Sequence, residues 1–352
     1  MRRLAWALAL LPPLAAAPAP NPAMAQTSLL PSLPDLVPTL PPDQVPAPDP
    51  RGTLSFTAEN DLFGGGSDRN YTNGLLLTWS SPSANLPGPF AWANRNLDWL
   101  MGPGSLRWGV SLGQNIYTPE DTAANVPDPN DRPYAGHLYG AFTLSRQTEL
   151  TQTILELQAG VVGPSALAEQ AQNGWHRIFN IDRANGWDYQ LKDEPVIDVL
   201  AERRWRVPLA PLFTIPTEII PEAAGSVGNG AIYGSVGAMW RIGTALETDW
   251  GPVRIRPALA GSAFLSPREE FGWYAFLGAE GRVIGRDIFL DGNTWQDGPR
   301  VDKRPFVADL QVGAAVIWRG MRLAYTQIVR SEEFYGQNGM QVFGSLSLSA
   351  RF

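Results

Sequence analysis

QVFGSLSLSARF, residues 341–352, sets Val342, Leu346, Leu348 and Phe352 on one face of an extended segment and Gln341, Ser345, Ser347, Ser349 and Arg351 on the other. Successive side chains of a strand point to opposite faces, so this segment has one apolar side and one polar side. Residues 306–318 repeat the pattern, with Phe306, Ala308, Leu310, Val312, Ala314, Val316 and Trp318 set against Asp309, Gln311 and Gly313. Leu75, Leu77 and Trp79 stand in the same way against Thr72, Gly74, Thr78 and Ser80. A transmembrane barrel is built from such segments, with the apolar set toward lipid and the polar set toward the lumen.

Segments of this kind lie near 53–60, 71–81, 106–116, 135–146, 151–162, 194–206, 212–222, 230–242, 272–284, 305–318, 321–331 and 341–352. The fold predicted is therefore all-β, a twelve-stranded antiparallel transmembrane β-barrel. An even strand number lets the sheet close with both chain ends on one side, and closure satisfies every backbone group inside a bilayer. A soluble secreted β-sandwich is the rival, and Leu and Trp on the lipid face of nearly every strand argue against it. With both ends periplasmic, residues 61–70, 117–134, 163–193, 223–229, 285–304 and 332–340 lie outside the cell. The other connections, including the long 82–105 and 243–271, are expected in the periplasm. Only 163–193 reads as helical among the outer loops, because Ala166 to Ala171 favour helix after Pro164-Ser165. That places a short helix at the outer mouth.

Composition excludes several classes. Hydrophobic residues make up 44% of the 352, yet beyond the N-terminus no apolar run is long enough for a spanning helix. Cysteine is absent, which removes disulfides, thiolate metal sites and cysteine nucleophiles. A net charge of -7 lacks the basic footprint of a nucleic-acid binder. Thirteen Trp and 35 Gly suit aromatic girdles and strand interiors. At the N-terminus Arg2 and Arg3 precede the apolar run Leu4 to Ala17, and Ala23-Met24-Ala25 forms a small-residue cleavage site, so residues 1–25 read as a signal peptide. Residues 26–52, rich in proline, read as a periplasmic linker with no packed structure of its own, leaving 53–352 as the barrel.

Two clusters carry candidate chemistry. The chain has two histidines, His137 and His176. His137 opens the fourth strand after Asp131-Arg132-Pro133-Tyr134-Ala135-Gly136 and reads as structural, whereas His176 lies on the outer helix in Gln172-Asn173-Gly174-Trp175-His176-Arg177. An imidazole titrating near neutrality suits a general base. The first outer loop is flanked by Glu59-Asn60-Asp61 and by Ser67-Asp68-Arg69-Asn70-Tyr71-Thr72-Asn73-Gly74, hard oxygen donors of the kind calcium takes. Alternation directs Ser55, Thr57, Glu59 and Asp61 to the lumen and leaves Asn60 on the lipid side. For Asn60 to work beside Asp61 it has to leave strand geometry, as through a bulge.

Glu59-Asn60-Asp61-Leu62-Phe63, Asp68 to Gly74, Asp131 to Gly136, and Val162-Gly163-Pro164-Ser165 with Gln172 to Arg177 resemble the signature blocks of the outer-membrane lipid A deacylases, the lipid A 3′-O-deacylase family. The resemblance runs from about residue 53 to the C-terminus. It implies a twelve-stranded barrel in a Gram-negative outer membrane, and calcium-dependent hydrolysis of the ester that holds the 3′-acyloxyacyl chain of lipid A in lipopolysaccharide. It further implies that His176 activates water, that calcium near Asp61 stabilises the oxyanion, and that Asn60 and Thr72 are active-site residues. Asp182, six residues after His176, falls where the family places a further acidic residue, a second candidate toward calcium. Phe352 resembles the terminal aromatic read by the barrel-assembly machinery. The family also has a lysine in the loop after the third strand, but Tyr117 to Asn130 contains neither Lys nor Arg. Arg69, Arg132, Arg177, Arg183 and Lys192 are the cations available instead for the phosphates of the substrate. Two other readings stay open. One is an outer-membrane phospholipase, whose usual form pairs a serine with histidine, although Ser165, eleven residues before His176 on the same helix, stands about three turns away and too far for that pair. The other is a porin-like channel constricted by the outer helix.

Overall fold

Strands β1 (Thr53–Asn60), β2 (Asn70–Ser80), β3 (Ser105–Thr118), β4 (Ala135–Gln147) and β5 (Thr151–Val162) pair in sequence order. The next strand, β6, runs Glu194–Trp205 and resumes after Arg206 as Val207–Leu212; both parts pair with β7 (Ile215–Gly228). β8 (Ala231–Gly243), β9 (Phe271–Asp287), β10 (Phe306–Trp318), β11 (Met321–Arg330) and β12 (Gln341–Arg351) follow, and β12 pairs with β1. Every neighbour is antiparallel and the β1–β12 seam closes the circle, so twelve strands form the expected barrel. This computed structural model describes residues 42–63, 70–179 and 182–352. The expected signal peptide and the first part of the expected linker lie outside the described residues.

Exposure alternates along the strands as the sequence dictates. In β10 Phe306, Leu310, Val312, Val316 and Trp318 are exposed while Val307, Asp309, Gln311 and Ile317 are buried. The outward set is the lipid-contacting wall. Boundaries differ from expectation on both strands of the β6–β7 hairpin: β6, expected to end at 206, continues to Leu212. The strand placed at 212–222 runs to Gly228, so the outer connection expected at 223–229 shrinks to Asn229 and Gly230. The rim carrying both chain ends is called terminal below, and the opposite one distal.

The connection between β8 and β9, expected in the periplasm, instead folds into the lumen. Asp249 meets Arg241 of β8 at 2.7 Å and Arg322 of β11 at 2.5 Å. Arg254 meets Glu59 of β1 at 2.9 Å, and the carbonyl of Pro257 accepts from Arg282 and Arg330 at 3.1 and 3.3 Å, near the distal rim. Leu259 and Leu265 join Tyr274 and Phe276 in a buried cluster. The physical reason lies on the strands. Their inward faces carry ionised side chains that cannot be left unpaired in a closed interior, and this segment brings the complementary charges. The lumen is a packed core, and the pore that a channel reading needs is filled.

Residues 42–52, expected to be unpacked, are strapped across the terminal rim. Asp49 accepts from Arg107 at 2.7 Å, Arg351 at 2.7 Å and Ser266 at 2.9 Å. Burial alone would raise the Asp49 pKa, but Arg351, the Arg51 amide and Arg107 outweigh it and bring it down to about 2. A depressed folded-state pKa stabilises docking above the ordinary carboxylate value near 3.9, and that contribution is lost as pH falls through about 2. An environment-sensitive fluorophore on Ala47→Cys is expected to report a docked strap down to about pH 4 and progressive release below it. In Asp49→Asn the release is expected to be independent of pH. At the same rim Phe352 pairs its backbone with Gly52, N to O at 3.1 Å in both directions, and exposes its ring.

The β2–β3 connection contains two helices the alternation did not announce, α1 (Gly88–Asn96) and α2 (Asp98–Met101). Pro89 stands in the first turn of α1, where a missing N–H costs nothing. The helix expected in residues 163–193 is present as α3 (Ala168–Phe179), and a single turn, α4 (Ile288–Asp291), occupies a second outer connection that was not expected to be helical.

Candidate active site

The first strand ends where its pleat changes. Glu59 points into the lumen to Arg254, so Asn60 faces out. The chain then leaves the sheet in a tight turn, Asp61–Phe63, and the Asn60 side-chain carbonyl accepts from the Leu62 amide at 2.7 Å. Asn is suited to this because its short amide mimics a backbone turn. The turn leans over the outside of the wall, where the hydroxyl of outward-facing Tyr325 donates to the Phe63 carbonyl at 2.8 Å. The expected escape of Asn60 through a bulge is thus corrected. Asn60 stays in register with Asn73 and Gly344, and Asp61 is the residue that departs from the strand.

A bulge does occur one strand over. Asn70 takes a left-handed φ of 64°, which Asn tolerates, and the β2–β3 register shifts between Tyr71 and Asn73. The shift turns Tyr71 inward, where its ring lies 5.4 Å from Tyr117 and 5.3 Å from Phe343, in space that Gly74 leaves open: a Cβ there would sit 2.0 Å from the Tyr71 hydroxyl oxygen. Thr72 is turned outward, and its hydroxyl meets that of Thr118 at 2.7 Å. Thr118 belongs to the outward series of β3 that includes Val110, Leu112, Gln114 and Ile116.

Helix α3 roofs this face. It is not at the mouth, as expected, but packs on the outside of β3 and β4. Gly136 allows that approach, since a Cβ there would lie 2.4 Å from that of Ala168. Gln114 donates to the Ala166 carbonyl at 2.7 Å, and Ile116 packs with Ala168 and Trp187. Ala168, Gln172 and His176, four apart, form one buried stripe of the helix. Gln172 is held by the Trp187 indole at 3.1 Å, and Nδ1 of His176 lies 2.5 Å from the Asp182 carbonyl. A carbonyl can only accept, so Nδ1 carries the proton and Nε2 is the basic nitrogen of the neutral ring.

A model of the outer membrane protein LpxR family matches residues 8–352. The chain belongs to that family. Among solved structures, LpxR from Salmonella typhimurium superimposes with a TM-score of 0.68 at 20% identity, covering 85% of this chain and 99% of that one. The translocator domain of the autotransporter NalP from Neisseria meningitidis gives a TM-score of 0.34 at 10% identity over 86% of this chain and 88% of that one. No curated protein sequence matches.

In this LpxR-family barrel the remaining candidates are scattered. Asp182 is exposed, and its backbone carbonyl lies against Nδ1 of His176. Arg132 points inward, paired with Glu333 at 2.6 Å beneath the Tyr117 and Phe334 rings, and cannot stand in for a lysine on the outer face. Arg177 is exposed on α3, Arg183 pairs with Glu169 at 2.9 Å, Lys192 is exposed, and Arg69 lies outside the described residues. Ser165 precedes α3 and donates to Asp193 at 2.8 Å, so it forms no dyad with His176. His137 is a buried lumenal residue stacked on Tyr139 at 4.8 Å, as its structural reading expects. No three His, Asp or Glu side chains gather as a metal site among the described residues. A cation beside buried Asp61 would draw on that carboxylate together with amide and backbone oxygens, an all-oxygen donor set that fits calcium in kind. Thr118 was not singled out in the sequence, and Gln172 stood in the His176 block without a role of its own. The signals were a hydroxyl where alternation places a lipid-facing side chain, and a glutamine one turn before the histidine.

Proposed function

We propose that this protein is an ester hydrolase that releases the 3′-acyloxyacyl chain of lipid A within the outer leaflet, with the distal rim facing the cell exterior. One observation carries the reading: Asn60 and Thr72 lie on the outward face of the wall, beneath a helix whose buried stripe carries His176. Acyl chains of a membrane lipid lie on that side, so the ester can be reached without leaving the leaflet. His176 Nε2 takes a proton from water as the water attacks the ester carbonyl, and the imidazolium returns that proton to the 3′-oxygen of the sugar as the acyl C–O bond breaks, releasing the chain as a carboxylic acid. The Asp182 carbonyl fixes the tautomer beforehand and accepts from the imidazolium Nδ1 afterwards. The amide of Asn60 and the hydroxyl of Thr72 are placed to hold the polar linkage as charge develops on its oxygen. Asp61, with nearby amide and backbone oxygens, would hold calcium, which would supply positive charge to offset the developing oxyanion. Arg177, exposed on α3, is the cation best placed for a lipid A phosphate. The exposed ring of Phe352 supports recognition by the barrel-assembly machinery.

Mass spectrometry of lipid A from cells with and without the protein tests the reaction, the expected result being loss of one acyloxyacyl group. EGTA is expected to abolish that loss and calcium to restore it better than zinc. Asp61→Ala is expected to raise the calcium requirement with the barrel still heat-modifiable on gels. Full activity of the metal-stripped protein would refute the calcium role.

A further inference from the structure

Helices α1 and α2 double back from the terminal rim onto the outside of the wall. Phe90 stacks on Trp108 of β3, with ring centroids 4.8 Å apart and planes at 13°, and lies 6.0 Å from Phe142 of β4. Ala93, Leu97 and Met101 pack with Leu106, Leu144 and Leu155. The pair is tied down as well as packed. Asp98 bridges to Arg146 at 2.6 Å, and the Met101 carbonyl accepts from Thr153 at 2.8 Å and Arg203 at 3.1 Å. The guanidinium of Arg203 thereby sits at the negative end of α2.

An element fixed this firmly nevertheless turns its largest apolar groups away from the protein. Trp92 is 57% exposed, Trp99 80% and Leu100 48%, with exposed Arg95 and Asn96 between them. Tryptophan is enriched where a membrane meets water, because its ring is apolar and its N–H is not. The surface these side chains extend is the lipid-contacting wall itself, of which Val110, Leu112 and Leu157 are the exposed neighbours. We propose that α1 and α2 form an interfacial foot whose Trp92, Trp99 and Leu100 enter the phospholipid leaflet at the terminal rim. Lipid is the occupant because the patch continues a lipid interface and carries an interfacial mixture of indole and cation.

The foot has a second consequence through the strands it grips. β3 and β4 carry the foot at one end and α3 at the other. On β3 the foot covers Leu106 and Trp108, while α3 covers Gln114 and Ile116. Trp108 to Gln114 spans roughly 20 Å of strand at about 3.3 Å per residue. Anchoring the foot at one headgroup layer therefore fixes the depth at which α3 meets the opposite leaflet. This inference rests on the membrane setting of the barrel and not on the proposed reaction.

The absence of cysteine makes the test direct. Nitroxide labels on Trp99→Cys and Leu100→Cys, in vesicles of phosphatidylethanolamine and phosphatidylglycerol, are compared with Leu112→Cys on the wall and Val126→Cys in a distal loop. The expected result is collision with oxygen exceeding collision with a water-soluble nickel chelate at both foot positions, as at Leu112→Cys. Nickel accessibility equal to that at Val126→Cys at either foot position overturns the proposal, whether the foot then stands in water or contacts a soluble protein in cells. If Trp99→Cys fails to fold, Leu100→Cys alone decides between the two outcomes.

Discussion

His176→Asn is expected to lower lipid A hydrolysis by roughly 10² to 10⁴, with the barrel intact by heat-modifiability. The size follows from what is removed. Water has to lose a proton as it attacks, and His176 is the histidine that α3 turns toward the outer wall. Asparagine keeps a polar group that can still reach the Asp182 carbonyl, so the helix retains its anchor while the base is gone. His137→Asn serves as the control and is expected to keep most of the activity, because His137 lies in the lumen on the other side of the sheet. Ser165→Ala is expected to be nearly silent as well, since its hydroxyl is spent on Asp193. A covalent acyl group trapped on any serine, or an active His176→Asn, would replace the activated-water mechanism with a serine-type one.

Asp249→Ala is expected to destabilise the folded barrel by about 3–5 kcal/mol. Its carboxylate receives Arg241 and Arg322, the Tyr274 hydroxyl at 3.0 Å and the Gly251 amide at 2.9 Å, all of them buried. Removing it strands positive charge in a closed interior, the costly way to break a buried pair. Glu149→Ala, which removes an exposed partner of Arg268 at 3.2 Å, is expected to change stability by no more than about 1 kcal/mol. Urea unfolding from lipid vesicles measures both. Equal effects would mean that the lumenal segment is not part of the core. In planar bilayers the wild-type barrel, filled by that segment, is expected to carry no steady current.

The strands were legible because a barrel wall imposes period two on every segment that crosses it. Where the period blurred, the reading slipped. In β7 Glu218, Ile220 and Glu222 turn inward, two of the three acidic, in a stretch interrupted by Pro216 and Pro221, and the end at Gly228 was missed. The lumenal segment 244–270 has neither period and could not be placed from its own pattern. Its signal lay elsewhere, in the inward charges of other strands, which demand partners that a water-filled interior would not have required. Helices α1 and α2 were legible in principle, since Phe90, Ala93, Leu97 and Met101 recur at helical spacing. Around the candidate site His176, Asn60 and Thr72 were singled out by motif, but the face of the wall that brings them together was not. Alternation had already assigned Asn60 to the lipid side, and the assignment of Asp61 to the lumen side made that look like a conflict.

That placement on the outer wall governs how such an enzyme meets its substrate. A pocket in the mouth samples solution, and its rate follows bulk concentration. A site opening sideways into a leaflet samples a two-dimensional fluid: encounter is by lateral diffusion, and saturation is set by the mole fraction of substrate among neighbouring lipids. Diluting the leaflet with inert lipid is then expected to slow turnover at constant total substrate, and under the proposed reaction the severed acyl chain is expected to leave sideways into the membrane that supplied it.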